Sequence, residues 1–385
     1  MSPWGDALFE LVDAALCAPG PLRSVPALSL EPTFRRSHGS LYKALALGEV
    51  DHESLRRLLV EHRPDNWPAV FAVDSSAWDR CDAECSPERG FYYSASKHSA
   101  GQPIVAGWNY QWICQLEVPM FVLDAGYDPI ALSSALAVRA QILCRIKSDR
   151  VFYTDPSPRR AGQKGRPRRH GRRFKCSDPK TAPKADAELK VHDLRYGAVR
   201  VRAWHQLHPK LHGRGRWAGS GLPIVRGSVI RVDVARLPKP FPGARKTLWL
   251  WWSGPCEPDL ELCFRAYLRR FDIEHTFRFA KNTLGWTTPS LCTPGQADRW
   301  SWLVVAAYTQ LRLARGLVED VRLPWERRLD PALLTPARVR RGFRRLRAML
   351  GTPASPPKSD VAGPGRPKGT ATGPRKRYPA IKKTA

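Results

Sequence analysis

Two short apolar runs close on an acid, Val70-Phe-Ala-Val-Asp74 and Met120-Phe-Val-Leu-Asp124. Four or five consecutive apolar residues, rich in β-branched and aromatic types, read as buried strands. Between them, Phe91-Tyr-Tyr-Ser and Ile104 to Leu116 are aromatic, β-branched segments separated by turn residues, and after them Ile130 to Ala140 has helix texture and Gln141 to Lys147 strand texture. Three strands followed by a strand–helix–strand unit imply an α/β domain, because parallel neighbours need a crossover and the usual crossover is a helix. A carboxylate just past a buried strand is held rigidly at the sheet edge, as a metal ligand must be. Asp is also a common turn former at strand ends, so the residues alone leave both readings open for Asp74 and Asp124. Asp149 follows a strand too and is the competing acid. Asp79 and Asp82 fall in a polar stretch, and Asp128, before Pro129, looks like a helix start.

The rest of the 385 residues divides by texture. Residues 1–66 carry short helical patterns, with Asp51 placed to cap the third; Arg35, Arg36, Arg56 and Arg57 there suit either a packed helical lead-in or a small DNA-binding head. Residues 67–154 hold the first part of the α/β core. Residues 155–256 form a basic, β-rich stretch in which residues 159–175 hold nine Lys or Arg and no acid. Its later segments alternate, as a half-exposed antiparallel sheet does. Residues 257–316 return to helix, with a capping box at Thr293-Pro-Gly-Gln296. A basic helical segment covers 317–351, and 352–385 is a basic, Pro- and Gly-rich tail expected to lack structure.

Charge then restricts the partner. Lys and Arg number 63 against 35 Asp and Glu, a net charge of +28 on a chain with 14 Trp. An excess of that size points to a polyanion, above all nucleic acid. No apolar run approaches the roughly 20 residues of a membrane span, and a cytoplasmic setting is expected. Nine Cys without a Cys-x-x-Cys suggest a reducing compartment. His205, His208 and His212 have zinc-like spacing but lack paired Cys or acidic ligands. Lys164-Gly-Arg-Pro-Arg-Arg169 and Gly365-Arg-Pro-Lys368 each carry Gly-Arg-Pro, so Arg166, Arg168 and Arg366 are candidate DNA contacts. Such segments fit a narrow minor groove or, more simply, phosphates of any sequence.

The sharpest pattern is Tyr267-x2-Arg270-x3-Glu274-x6-Lys281. At about 100° per residue the four fall in a stripe roughly 60° wide on a single helix. One acid among two cations and a phenol suits metal and phosphate together; a solvated face with an i,i+4 pair is the plain alternative.

These residues resemble the DDE transposases of bacterial insertion sequences, in the group whose third motif is Tyr-(2)-Arg-(3)-Glu-(6)-Lys. Val73-Asp74-Ser is similar to the first acidic motif of that family, and Phe121-Val-Leu-Asp-Ala-Gly-Tyr-Asp128 to the second. The resemblance covers roughly residues 65–315. It implies an RNase H-like mixed sheet with flanking helices, interrupted by a β-rich insertion where 155–256 lies. It implies that Asp74, Asp124 and Glu274 are catalytic and bind two Mg²⁺ ions, for which Mn²⁺ can substitute. Tyr267, Arg270 and Lys281 would position phosphates of double-stranded DNA, at transposon ends and target. One of Trp249, Trp251 and Trp252 would be available to stack on an unpaired base. A homodimer in the DNA complex and a bacterial, nucleoid-associated location fit the same reading. The competing class is a non-catalytic basic DNA-binding protein derived from a transposase.

One spacing departs from the family. Only 50 residues separate Asp74 from Asp124, and Leu116-Glu-Val-Pro119 is all that lies between the third and fourth strand textures. A parallel crossover takes about a dozen residues or more. The expectation is that the crossover helix after residue 116 is missing, and that Asp124 is poorly held against Asp74.

Overall fold

The computed structural model describes residues 4–62, 70–93, 103–112, 120–136, 139–158, 165–213, 217–218, 221–237, 246–358, 369 and 373–381. The chain forms two compact units, one of residues 1–65, 75–110 and 274–385 and the other of residues 66–74 and 111–273.

The second unit is built on a seven-stranded mixed sheet. Its first strands are β1 (Val70–Ala72), β5 (Met120–Leu123) and β6 (Gln141–Ile146), all parallel. Between the last two runs helix α4 (Pro129–Leu136), the crossover that parallel strands require. Four antiparallel strands continue the same sheet: β9 (Ala187–Asp193), β10 (Gly197–Leu207), β11 (Gly227–Val234) and β12 (Thr247–Ser253). The order is β1-β5-β6-β12-β11-β10-β9, so the later strands extend the core sheet from the β6 edge. Strands β7 (Val151–Tyr153) and β8 (Arg173–Lys175) make a separate hairpin.

One sheet face is covered by α5 (Leu260–Arg269), which Asp259 caps by accepting from the Glu261 and Leu262 amides. Cys263, Phe264 and Tyr267 of α5 pack on Val122, Leu143, Val201, Ile230 and Leu250. The opposite face buries Trp249, Trp251, Trp204, Phe152 and Phe174 in one cluster, with Trp251 stacked on Phe152 at 5.3 Å. Trp249, Trp251 and Trp252 are all buried, so none of the three is exposed for stacking on a base.

The first unit is mainly helical: α1 (Gly5–Cys17), α2 (His38–Leu47), α3 (His52–Glu61), α6 (Phe271–Asn282) from residue 274 onward, α7 (Pro294–Leu313) and α8 (Pro336–Met349). Helix α1 packs on α2, α7 and α8. Asp51 caps α3, and the Thr293–Gln296 capping box is formed at α7. Thr293→Ala is expected to cost about 1 kcal/mol, typical of a lost N-cap, measured as a shift of the denaturation midpoint. Gly285 sits at φ +63°, where an added Cβ would come within 2.8 Å of Leu22 Cβ. That glycine lets the chain turn after α6 and bring buried Trp286 to hydrogen-bond Ser301 Oγ at 2.7 Å.

The unit also holds residues 75–110 of a three-stranded sheet of β2 (Asp74–Asp79), β4 (Ile104–Trp112) and β3 (Gly90–Tyr93), in that order. The sequence reading closes a strand on Asp74; instead Val73 interrupts it and Asp74 opens β2, with Asp79 as the last strand residue. The tail is held at two places. Ala354 is buried, and Tyr378 and Ile381 donate their amides to the Glu84 and Arg89 carbonyls at 2.8 and 2.6 Å, forming a parallel bridge at the β3 edge.

Many arginines of the basic helical segment are committed inside this unit. Arg338 pairs with Asp320, Arg341 with Glu326, Arg345 with Glu319 and Arg347 with Asp13. Arg340 donates to the Ala15 and Gly20 carbonyls, and Arg344 to Cys17 and Glu31. Helix α1 has no basic residue in its own last turn; the cations that satisfy its terminal carbonyls come from α8. Arg35 and Arg36 are likewise paired with Glu10.

Candidate active site

Strands β1 and β5 pair with Ala72 opposite Val122, and the ladder continues through the Val73 amide to the Val122 carbonyl at 3.1 Å. The offset is 50 residues, the same as the spacing of the two acids, so Asp74 is level with Asp124. The pairing is present despite the short interval before β5, against the expectation that Asp124 would be displaced. Residues 113–119 of that interval lie outside the described residues. Side chains alternate across a sheet. Val73 and Leu123 pack on the α4 side, whereas Val122 faces α5. Both acids therefore belong to the α5 face.

Each acid is fixed differently. Asp74 is half-buried, with Oδ2 3.9 Å from Nη1 of buried Arg270. Asp124 accepts from the Gly126 amide at 2.8 Å, a turn that holds its carboxylate at the strand end. Its carbonyl accepts from the Cys144 thiol at 3.1 Å. Burial, reinforced by the Asp124 charge, pushes that thiol up to about 12.

The Tyr-Arg-Glu-Lys pattern falls on two helices instead of one. Tyr267 is on α5, Arg270 is the turn residue between α5 and α6, and Glu274 and Lys281 are on α6. Tyr267 is buried, which raises its phenol above the usual range; the charges of Arg270 and Arg145 oppose the rise. The Arg270 guanidinium lies 5.8 Å from the Tyr267 ring centre. Tyr267, Arg270, Asp74 and Asp124 thus belong to the second unit. In the first unit Glu274 is exposed, and Lys281 donates to the Ala77 carbonyl at 3.3 Å with its Nζ over the Trp286 ring at 5.7 Å.

Arg145 was not singled out by the sequence. The β5–β6 register sets Leu123 opposite Cys144, so Arg145 is level with Asp124 and extends the Asp74–Asp124 row onto a third parallel strand. Its signal was the 21-residue offset, which becomes readable only once those strands are known to pair.

Two carboxylates level on adjacent strands are a suitable donor set for a hard divalent cation. Among the described residues no three His, Cys, Asp or Glu side chains are grouped to hold a metal ion. The zinc-like histidines separate: His205 meets Ser228 Oγ at 2.8 Å, and His208 meets His170 at 3.0 Å. Arg166 and Arg168 are exposed, and Arg366 lies outside the described residues. Among those described, no helix is long and apolar enough to cross a membrane.

No curated protein matches the sequence. The DDE superfamily endonuclease family matches residues 4–119 and 114–210, more than half of the chain, with both acids inside the matched residues. Family membership brings a nuclease or transposase chemistry and a DNA substrate, and the mixed sheet with flanking helices agrees with an RNase H-like DDE fold. With the two acids level at the ends of paired parallel strands and the family matched across them, the chain belongs to the DDE superfamily endonucleases.

Proposed function

We propose that this protein is an insertion-sequence transposase of the Tyr-(2)-Arg-(3)-Glu-(6)-Lys group, cutting and joining DNA at the element's ends. The observation that carries the reading is the level placement of Asp74 and Asp124 on the α5 face, beside Arg270. Asp74 and Asp124, with Glu274 on the strength of its motif spacing, are the proposed ligands of divalent metal, Mg²⁺ or Mn²⁺. Bound there, the metal would supply activation of the attacking oxygen and charge stabilisation at the leaving oxygen. Arg270 orients Asp74 and offers a cation to a phosphate brought to the acids. Tyr267 packs its ring against the Arg270 guanidinium, 5.8 Å from the ring centre, and is the proposed support for that cation. Lys281 is the remaining proposed phosphate contact, and a homodimer is the proposed assembly on DNA.

The test is nicking of labelled duplex bearing the inverted repeats that flank the gene. Cleavage in Mg²⁺, absent in EDTA and specific to those ends, is the expected result. Tight binding with no nicking under any divalent ion would refute the enzymatic reading.

A second reading is a non-catalytic DNA-binding descendant of a transposase that lacks the crossover helix. It is supported by the short interval before β5 and by a family match that falls into two segments sharing residues 114–119. Restoring a helical segment after Leu116 separates the two. A gain of cleavage from an inert starting chain favours the decayed copy; equal activity in both favours a working enzyme.

A further inference from the structure

A cation can neutralise a phosphate most readily where no protein acid has already claimed it, so the net charge has to be sorted by partner before it locates a binding surface. The arginines of α8 are engaged, as described. In the seven-stranded sheet Arg200 pairs with Glu188, Arg202 and Arg231 share Asp233, and Arg226 holds Asp155.

The end of the sheet beyond Asp124 is different. A cleft of about 860 Å³ opens at the C-terminal ends of β5 and β6. That end is where open α/β sheets bind their ligands. Arg145, Lys147, Arg150 and Lys210 line it, all four exposed. Among the described residues Lys147, Arg150 and Lys210 have no carboxylate within ion-pair distance. Two acids share the lining. Asp128 caps α4, accepting from the Ile130 and Ala131 amides at 3.1 and 3.2 Å, and with Asp149 it sets two carboxylates against four cations, a net positive lining.

The wall is preformed. Tyr153 and His208 exchange backbone hydrogen bonds at 2.8 and 3.0 Å, which ties β7 to the segment bearing Lys210. His208 is fully buried and hydrogen-bonds His170 at 3.0 Å. Burial first, then the charges of Arg169 and Lys210, hold the His170 pKa below its usual value.

We infer that this cleft carries the sugar-phosphate backbone of a DNA strand leaving the acidic pair, with Lys147, Arg150 and Lys210 on its phosphates. Arg145 stands where the strand departs, level with Asp124. The assignment rests on the proposed function for its substrate but not for its chemistry, since backbone binding requires no cleavage.

The experiment uses the full chain and a fluorescent duplex in EDTA, with anisotropy titrations across salt concentrations. Each lost phosphate contact should lower the slope of log K against log salt by about 1. The double variant Lys147→Gln/Lys210→Gln is expected to lose about two units of slope and bind at least tenfold more weakly in low salt. Arg150→Gln should lose about one unit, and it serves as the second variant if the double one misfolds. Arg345→Ala, whose cation faces Glu319, should keep the slope of the parent chain. Unchanged slopes in folded Lys147, Lys210 and Arg150 variants would overturn the inference, even if the parent chain nicks DNA. Reduced slopes in those variants, with no nicking by the parent, would uphold the cleft and sink only the enzymatic reading.

Discussion

Asp124→Asn is expected to abolish metal-dependent cleavage while leaving DNA affinity within a few-fold of the parent chain. The carboxylate is fixed by the Gly126 amide at the end of β5, level with Asp74, and an amide there keeps the shape but not the charge. Losing a metal ligand should remove several kcal/mol of transition-state stabilisation, a rate loss of about a thousandfold or more. Asp74→Asn should behave alike, and its effect should not add to that of Asp124→Asn, because the two would act on one centre. Asp149→Asn is the control: that residue also follows a strand but lies outside the row of Asp74 and Asp124. Single-turnover nicking of all three variants checks the set. Retention of full activity by Asp124→Asn, with loss in Asp149→Asn, would move the second acid.

Arg340→Ala should produce the largest stability loss among the arginine substitutions. The guanidinium is buried and donates twice to the Ala15 carbonyl and once to that of Gly20. Burial lowers its pKa to about 10, still charged at neutral pH. Truncation would leave the buried Ala15 carbonyl in the last turn of α1 and the partly buried Gly20 carbonyl beyond it without this donor, at about 1–3 kcal/mol for each group left unpaired. A loss of roughly 3 kcal/mol corresponds to a fall of about 10 °C in Tm for a unit of this size. Arg340→Lys should recover only part, because a single ammonium cannot match the fork that reaches both carbonyls. Arg345→Ala, at an exposed pair, should change Tm little. Differential scanning calorimetry would separate these outcomes.

The α/β core was legible because its signals are local. Apolar runs, the caps at Asp51 and Thr293, and the strand–helix–strand pattern at 120–146 each lie within a few turns of chain. Asp74 and Asp124 stood out for the same reason, as acids next to apolar runs. The joint at Arg270 was not legible: periodicity continues through it, and only packing divides Tyr267 from Glu274. Arg145 was missed because a strand residue gains its meaning from the register of a partner strand. The charge count misled in another way. It treats Arg341 and Lys210 as equals, although one is satisfied by Glu326 and the other faces an open cleft. The three tryptophans of β12 could not be sorted by type, since burial on a sheet face depends on what covers it.

The bridge between Ile381 and the start of β3 has a consequence for anyone who shortens the chain. β3 is the outer strand of its sheet and carries Phe91 and Tyr93 at 51% and 73% exposure. While the C-terminal peptide is in place, the backbone at Arg89 and Gly90 has a partner within the same molecule. Cutting before residue 373 removes basic residues, but it also uncovers the outer edge of β3 at Arg89 and Gly90, beside two exposed aromatic side chains, the kind of edge through which proteins stick to one another. Poor solubility of a shortened protein would then reflect an uncapped strand and not the loss of charge, and light scattering on chains ending at 372 and at 381 would tell the two apart.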